Sequence, residues 1–571
     1  LKIQIMKKKS LRFLILILIG ILMYSCQKED TFEKENLTSQ TIEQEQIESP
    51  DKIIGLGKKL ENPFTVSVMK QAYENLKTKK SNQFSKSSTN GLNIETTDYY
   101  VRFLPKSDEE KEVLQEKDSL TLFDMPLDYE LEEGIAGAYH DPSIPEGEIT
   151  WQYTVVPVDY QFRDIQYEVL ANLFLQEEDE DEENTISSKS SLKKQLNEDL
   201  WTELENEALR ITGNEDDIIE NSSSLFAKRR KWYPSGRIQY EDNTTATPRI
   251  IPLQGVKIIV KRWFKWKNAF TNANGDFRVG KFRSRKVKCA IKWERHSWDI
   301  RSGSYGQAWY SFQSLRRGSN WNKTIRRSST PRNWLYASVH RGAMEYFYNH
   351  YSYGIKKPYN KTWFLKRRLH IGAKHKSGRA HYFTFNRIIW SAPVVIYSRG
   401  NNGTVYDSRD LFATTIHELA HVSHWEIGYN TRQYVTDALA DDPFLPESWA
   451  VGVEHTITNR VYPATIVGAR NFPYNENLQN QTLRHIQTES EGYTPIVMDM
   501  IDNVNQSTAR INGRIDPNRP NDRVSGYTLG QLEHALPSSF GSWWRWRTRL
   551  RQMYNNPTDG AELDYLFREY R

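Results

Sequence analysis

The chain has 571 residues, 26% of them charged and 12% aromatic, with a net charge of only +5. That length exceeds what a single hydrophobic core sustains, so three or four folded modules are expected. Two cysteines, Cys26 and Cys289, exclude a fold stapled by several disulfides, and acidic segments nearly cancel the basic ones.

The first segment, "MKKKSLRFLILILIGILMYSC", has a Lys/Arg-rich start, an apolar run from Leu11 to Met23 and a small Ser25 before Cys26. A bilayer span needs about twenty apolar residues, so this shorter run reads as a secretory signal. It resembles a bacterial lipoprotein signal, although Met23 and Tyr24 are less usual in their positions. The resemblance implies cleavage before Cys26, acylation of that residue, and a mature protein held in the cell envelope at the outer membrane or cell surface. Cys289, in "KVKCAIKWE", is then the one thiol left and is expected to be buried in a strand.

Residues 27–96 are polar and poor in apolar side chains, as a flexible tether would be, apart from a short helix at "PFTVSVMKQAYENLK". There Val66, Met69, Ala72 and Leu76 recur at helical spacing. Residues 97–175 mix strand-like "YYVRFLP" and "TWQYTVVPV" with helix-like "DIQYEVLANLFL", which predicts a small α+β module. Residues 176–245 follow as an acidic linker and helix. The run "QEEDEDEEN" lacks the spaced ligands and Gly of a calcium loop, so a solvated linker is expected.

Residues 246–300 alternate strands and turns, with "IIPLQGVKIIVKRW", "NANGDFRVGKF" and "KVKCAIKWE". "PLQGVKIIV" followed by "TNANGDFRV" resembles the carboxypeptidase regulatory-like domain. That resemblance implies an all-β, transthyretin-like sandwich serving as scaffold. Residues 301–333 are read as a connector. Stretches such as "KRWFKWK" and "KFRSRKVK" are basic and aromatic, and a solvated face is expected for them. For an exported lipoprotein no nucleic acid is expected, so an acidic glycan or the phosphates of an outer leaflet would be the polyanion such a patch takes.

The chemistry lies in "APVVIYSRGNNGTVYDSRDLFATTIHELAHVSHWEIG". "APVVIYSR" is a strand by composition, and a helix is predicted from Asp407 or Ser408, with Asp410 completing a cap, to Gly428. On it His417 and His421 stand four apart on one face and can converge on one Zn²⁺. Glu418, one residue round, is placed to take a proton from the attacking water. His424 lies about 10.5 Å along the axis from His417, too far to join the same ion, and is expected to pack. The third ligand is expected from a second helix in "DDPFLPESWAVGVEHTITNRVY", which carries Glu447 and Glu454.

HExxH followed by Glu-x-x-Ala resembles the gluzincin metallopeptidases, and "ESWAVGVE" is similar to the Glu-Gly-Phe-Ala-x-x-x-Glu run of their aminopeptidase-like members. The resemblance covers residues 334–571 and implies a zincin-like fold, a mixed sheet plus active-site helices. It makes His417 and His421 ligands, Glu418 the base and acid, and Glu447 the third ligand, with Ala450 leaving room beside the metal and Glu454 the runner-up ligand. It also makes "APVVIYSR" the cleft's edge strand. Thermolysin-like members carry an Asp four residues after the ligand Glu, but Val451 stands there, so another group must orient an imidazole. Tyr493, Tyr527, His485 and His455 are candidates to stabilise the oxyanion. The expected whole is a multidomain α+β protein, an exported zinc metallopeptidase acting on a peptide or protein. The rival is a glycan- or protein-binding surface lipoprotein whose zinc site is inactive or structural.

Overall fold

A computed structural model of the chain describes residues 54–79, 92–176, 198–218, 232–303, 305–358, 360–361, 366–382, 392–427, 444–463, 493–503, 520–536, 543–556 and 560–570, with Asn505, Ser507 and Thr558. Cys26, the acidic run beyond Gln176, and His485 lie outside these residues. The architecture is mixed α+β with several sheets.

The N-terminal third holds helix α1 (Val66–Lys79), strands β1 (Asp98–Leu104), β2 (Gln152–Pro157) and β3 (Gln166–Leu173), and helix α2 (Glu198–Ile211). Met69, Ala72 and Leu76 are buried on α1, as their spacing predicts. Asn75 and Lys79 of α1 both bond Glu207 of α2. Ile54 is fully buried and Leu56–Lys59 pairs with Tyr129–Leu131, so folded structure begins well inside the expected tether. The segment "DIQYEVLANLFL" departs from its predicted helix. Its core is β3, antiparallel to the central strand β1, because main-chain pairing with a distant strand overrides a weak local preference.

The middle of the chain supplies β4 (Ser235–Asp242), β5 (Lys257–Arg262), β6 (Lys265–Phe270), β7 (Lys286–Lys292), β8 (Trp298–Ser302), β9 (Trp309–Arg316) and β10 (Lys323–Ile325). One sheet runs β6-β5-β7-β9 and ends on Ala136–Gly137 from the N-terminal third. In the other, β4 pairs with Asp276–Arg278 and Arg249–Pro252 and, in parallel, with β10. The Asn-Gly turn works as its chemistry requires. Asn272 Oδ1 accepts from the amides of Asn274 and Asp276, and Gly275 has φ 74°, where a Cβ would lie 2.3 Å from the Ile238 carbonyl oxygen.

The expected boundaries shift in three places. β4 precedes residue 246, β9 and β10 fall within the expected connector, and β8 pairs in parallel with a strand of the C-terminal part. In β8 and β9 most residues are buried, which erases alternation. The sheet β5-β7-β9 shows why: Ile258, Val260, Cys289 and Ile291 join the core shared with the C-terminal helices. Ile259, Ala290, Trp309 and Phe312 join the core of the N-terminal third.

The expected solvated face is corrected for "KRWFKWK" for the same reason. Its Lys261 is buried, donating to the Leu127 carbonyl at 3.3 Å, as is Lys292 of β7, which donates to the Leu122 carbonyl at 3.1 Å. The stretch "KRWFKWK" meets the chain's own acids, Arg262 pairing with Glu205 and Trp263 Nε1 donating to Asp217 at 2.9 Å.

The C-terminal part contains α3 (Pro331–Asn349), β11 (Leu369–Ser377), β12 (Val394–Arg399), α4 (Ser408–Ile427), α5 (Phe444–Val461), α6 (Ile496–Ile501), α7 (Leu529–Ala535), α8 (Trp543–Met553) and α9 (Ala561–Glu569). Strands β8, β11 and β12 run parallel, and His381–Tyr382 pairs antiparallel with Val394 and Val395. The strand expected at the edge is therefore covered at its start, and at its end Arg399 bridges Val405, because the chain folds back on it at both ends. Helix α3 packs against α4 at Gly342, where an added Cβ would lie 2.7 Å from the Thr415 Cβ.

His370 on β11 lies between Asp299 (2.6 Å) and Asp108 (3.3 Å), with Arg301 also bonded to Asp108 at 3.0 Å. Burial and Arg301 push the His370 imidazole down, but Asp299 and Asp108 outweigh them and lift it to about 9. A raised folded-state value means that the stabilisation is full below 6.5 and is lost as pH climbs through about 9. The melting temperature of the wild type should fall over that window, and His370→Gln should flatten the fall. Separately, Gly342→Ala should destabilise by about 1–3 kcal/mol through overpacking, read as a lower melting temperature in calorimetry.

Candidate metal centre

Helix α4 begins with a reciprocal cap: the Asp407 amide donates to Asp410 Oδ2 at 3.0 Å and the Asp410 amide to Asp407 Oδ1 at 2.8 Å. Its first residue, Ser408, is clamped to the end of β4. The Ser408 amide donates to Asn243 Oδ1 and the Asn243 amide to Ser408 Oγ, both at 2.9 Å. From Ser408 to His424 every residue but Arg409 is buried. An all-round buried helix needs small and apolar residues against its neighbours, and Ala413, Ile416, Leu419, Ala420 and Val422 supply them.

Within this packing the two imidazoles meet one carboxylate. His417 Nε2 and His421 Nε2 are 3.1 Å apart, and Glu447 Oε2 lies 3.2 Å from the first and 3.7 Å from the second. Ligand atoms about 2.0–2.1 Å from a tetrahedral ion stand about 3.3 Å from one another, so the three atoms fit one shared metal. They form a metal-capable group of buried side chains among the described residues. Glu447 Oε1 is buried without a hydrogen-bond partner there, which leaves it free for a cation as well.

Protonation reports the same demand. Burial disfavours an imidazolium at His417, but Glu447 and Glu454 overcome it and raise the group to about 10. Burial instead holds His421 below its ordinary value. Burial alone would raise the Glu447 carboxyl, yet His421 and His417 pull it well below the carboxylate range. One positive charge among three donors satisfies the group.

Glu454 does not share the convergence point. Its Oε2 accepts from His417 Nδ1 at 2.9 Å, on the ring's other side, which turns Nε2 towards Glu447 and His421. This is the orienting group that Val451 could not provide. Glu418 is fully buried on α4, and Ala450 is fully buried on α5. His424 stays out of the group as expected; its ring meets Trp449 at 6.5 Å, and burial pushes its imidazole down to about 3.

Of the oxyanion candidates, Tyr493 packs with Ala413, Val451 and Met498, one turn from His417 on one helix and one turn from Glu447 on the other. Tyr527 instead faces Tyr554 at 6.4 Å. His455 Nε2 meets Asn459 Nδ2 at 3.1 Å, and burial lowers its imidazole to about 4. The sequence reading missed Ser448 and Thr494. The Thr494 amide donates to Ser448 Oγ at 2.9 Å, tying the Tyr493 segment to α5 beside Glu447. A Ser next to Glu447 carries no such signal by itself, because its partner is distant in sequence.

No protein-family model, curated protein or solved structure matches the chain.

Glu454→Gln should weaken zinc affinity about 10–100-fold, read by chelator competition, because the amide holds the His417 ring less firmly. Val451→Ala should leave affinity unchanged.

Proposed function

We propose that the chain is an exported, membrane-anchored zinc metallopeptidase acting on a peptide or protein substrate. The observation that carries this reading is the meeting of His417, His421 and Glu447 at ion-sized spacing, directly beside Glu418 in the HExxH string. Two nitrogens and one carboxylate oxygen suit zinc, and three protein ligands keep a fourth position for solvent or substrate. Bound zinc supplies Lewis acidity, polarising a carbonyl and making a neighbouring water easier to deprotonate. Glu418 takes the proton of the attacking water and delivers it to the leaving amine. Glu454 fixes the His417 ring, and Tyr493, held by Thr494 and Ser448, is assigned to donate to the developing oxyanion. The zincin-like fold, the carboxypeptidase regulatory-like sandwich and acylation of Cys26 belong to the same proposal. Acyl chains would hold the protein at a membrane, each buried methylene adding about 0.8 kcal/mol. Among the described residues no helix is long and apolar enough to cross one.

One observation favours the rival, a surface lipoprotein with structural zinc: His417, Glu418, His421 and Glu447 are each 5% exposed or less. Activity separates the two. Glu418→Gln should keep stoichiometric zinc while peptide hydrolysis falls at least about 100-fold, and Glu447→Ala should lose the metal. Chelation by 1,10-phenanthroline should abolish cleavage of a mixed peptide library, and added zinc should restore it. Undiminished hydrolysis by Glu418→Gln would remove that residue as the base, and zinc without any hydrolysis in the wild type would establish the structural site.

A further inference from the structure

The N-terminal third holds a cleft of roughly 660 Å³. One wall is the ribbon of Leu56–Lys59 and Tyr129–Leu131, and the other is the sheet β2-β1-β3. Its volume lies within the range of about 300–1,000 Å³ usual for small-ligand sites. No residue of α4 or α5 lines it, so it is separate from the metal centre.

The lining combines flat rings with fixed polar groups. Tyr100, Tyr129, Tyr139 and Tyr153 contribute the rings. The Tyr100 hydroxyl accepts from the Leu127 amide and donates to Asp128 Oδ1, both at 3.0 Å. The Arg102 guanidinium lies over the Trp151 ring at 4.0 Å and is tied to Glu168 at 2.6 Å, with Asp141 3.9 Å away. Groups held this way keep their geometry before a ligand arrives, which reduces the ordering entropy of binding.

The backbone is adapted at the same place. Tyr100 of β1 faces Ala171 of β3 while Val101 faces Val169, so Leu170 is an extra residue, a bulge. In a regular strand successive side chains point to opposite faces, yet Leu170 and Ala171 both line the cleft. The bulge has turned Leu170, 41% exposed, towards it.

Charge narrows the ligand class. Lys59 and Arg102 stand against Glu61, Asp128 and Asp141, and Arg102 is already paired, so the cleft attracts neither a polyanion nor a polycation. The bulge also interrupts the ladder that an added peptide strand would need. A pyranose ring offers what remains: an apolar C–H face for aromatic rings and hydroxyl edges for Arg and Asp. We propose that this cleft binds a neutral oligosaccharide, with Tyr129 and Leu170 against sugar faces and Arg102, Asp128 and Asp141 on hydroxyls.

The test is calorimetric titration of the full chain, in a detergent without sugar head groups, with cellohexaose, mannohexaose and chitohexaose. Polygalacturonate and an unstructured decapeptide serve as competing classes. At least one neutral hexaose should bind saturably, and Tyr129→Ala and Leu170→Asp should each weaken it about tenfold, or about 1.4 kcal/mol. Leu170 is exposed enough for its variant to keep the wild-type melting temperature, and zinc content should not change in either. The proposal is overturned if none of the three hexaoses binds, if both variants bind as wild type does, or if the decapeptide or polygalacturonate binds more tightly. These outcomes do not depend on peptidase activity.

Discussion

Two imidazoles and two carboxylates occupy the interface of α4 and α5, each buried to 5% exposure or less. Unpaired, each would cost several kcal/mol to bury. They are tolerated because they form a line, Glu454 to His417 to the point shared by His421 and Glu447, in which each charge faces an opposite charge or an electron pair. Much of the surrounding structure keeps that line in register. The cap and the Ser408–Asn243 clamp fix where α4 starts, and hence which way its turns face. Gly342 lets α3 approach, and Arg341 bonds Tyr462 at the end of α5 while lying over Tyr240 and Phe412.

The sheet β6-β5-β7-β9 joins the two ends of the molecule. Because its faces feed two different cores, neither the N-terminal third nor the C-terminal helices can be removed without exposing an apolar surface. Polar contacts follow the same plan. Lys261 and Lys292 reach through the N-terminal face to loop carbonyls, while Asp108 contacts Arg301 and His370 from the other direction. The basic stretch and the acidic helix, far apart in sequence, thus meet through Arg262 and Glu205.

How much of this was legible depended on how local each cause was. The helices bearing His417, His421, Glu447 and Glu454, the cap at Asp407 and the turn at Gly275 follow from short-range patterns, and each lies where those patterns put it. The shared face of His417 and His421 was legible for the same reason, since spacing along a helix determines which side chains converge, whereas Glu447, on a second helix, was singled out by the family resemblance. Strand β3 was misread as a helix because its conformation is imposed by β1, some sixty residues earlier. Strand β9 was read as connector because its first half is buried on both faces and leaves no alternation to detect, and β10 because three residues are too few to carry a pattern. The placing of Tyr493 was illegible, resting on the pairing of Ser448 with a threonine beyond a long intervening segment.

Val451 shows why the orienting carboxylate stands two turns along α5 instead of one. Trp449 near the start of α5 meets His424 near the end of α4, and Tyr462 just past the end of α5 meets Phe412 near the start of α4, so the two helices run antiparallel, with Glu447 and Glu454 both reaching His417 and Val451 packing near Ala413. Seven residues span almost two full turns and return Glu454 to the face that carries Glu447, while a residue at the fourth position is rotated by about 40°. That rotation directs Val451 into the apolar contact with Tyr493 and Met498. A carboxylate there would have to be buried among apolar groups, whereas a valine seats the tyrosine. The seven-residue step from Glu447 to Glu454 therefore separates two contacts on one helix, that of Glu454 with the His417 imidazole and that of Val451 with the Tyr493 ring.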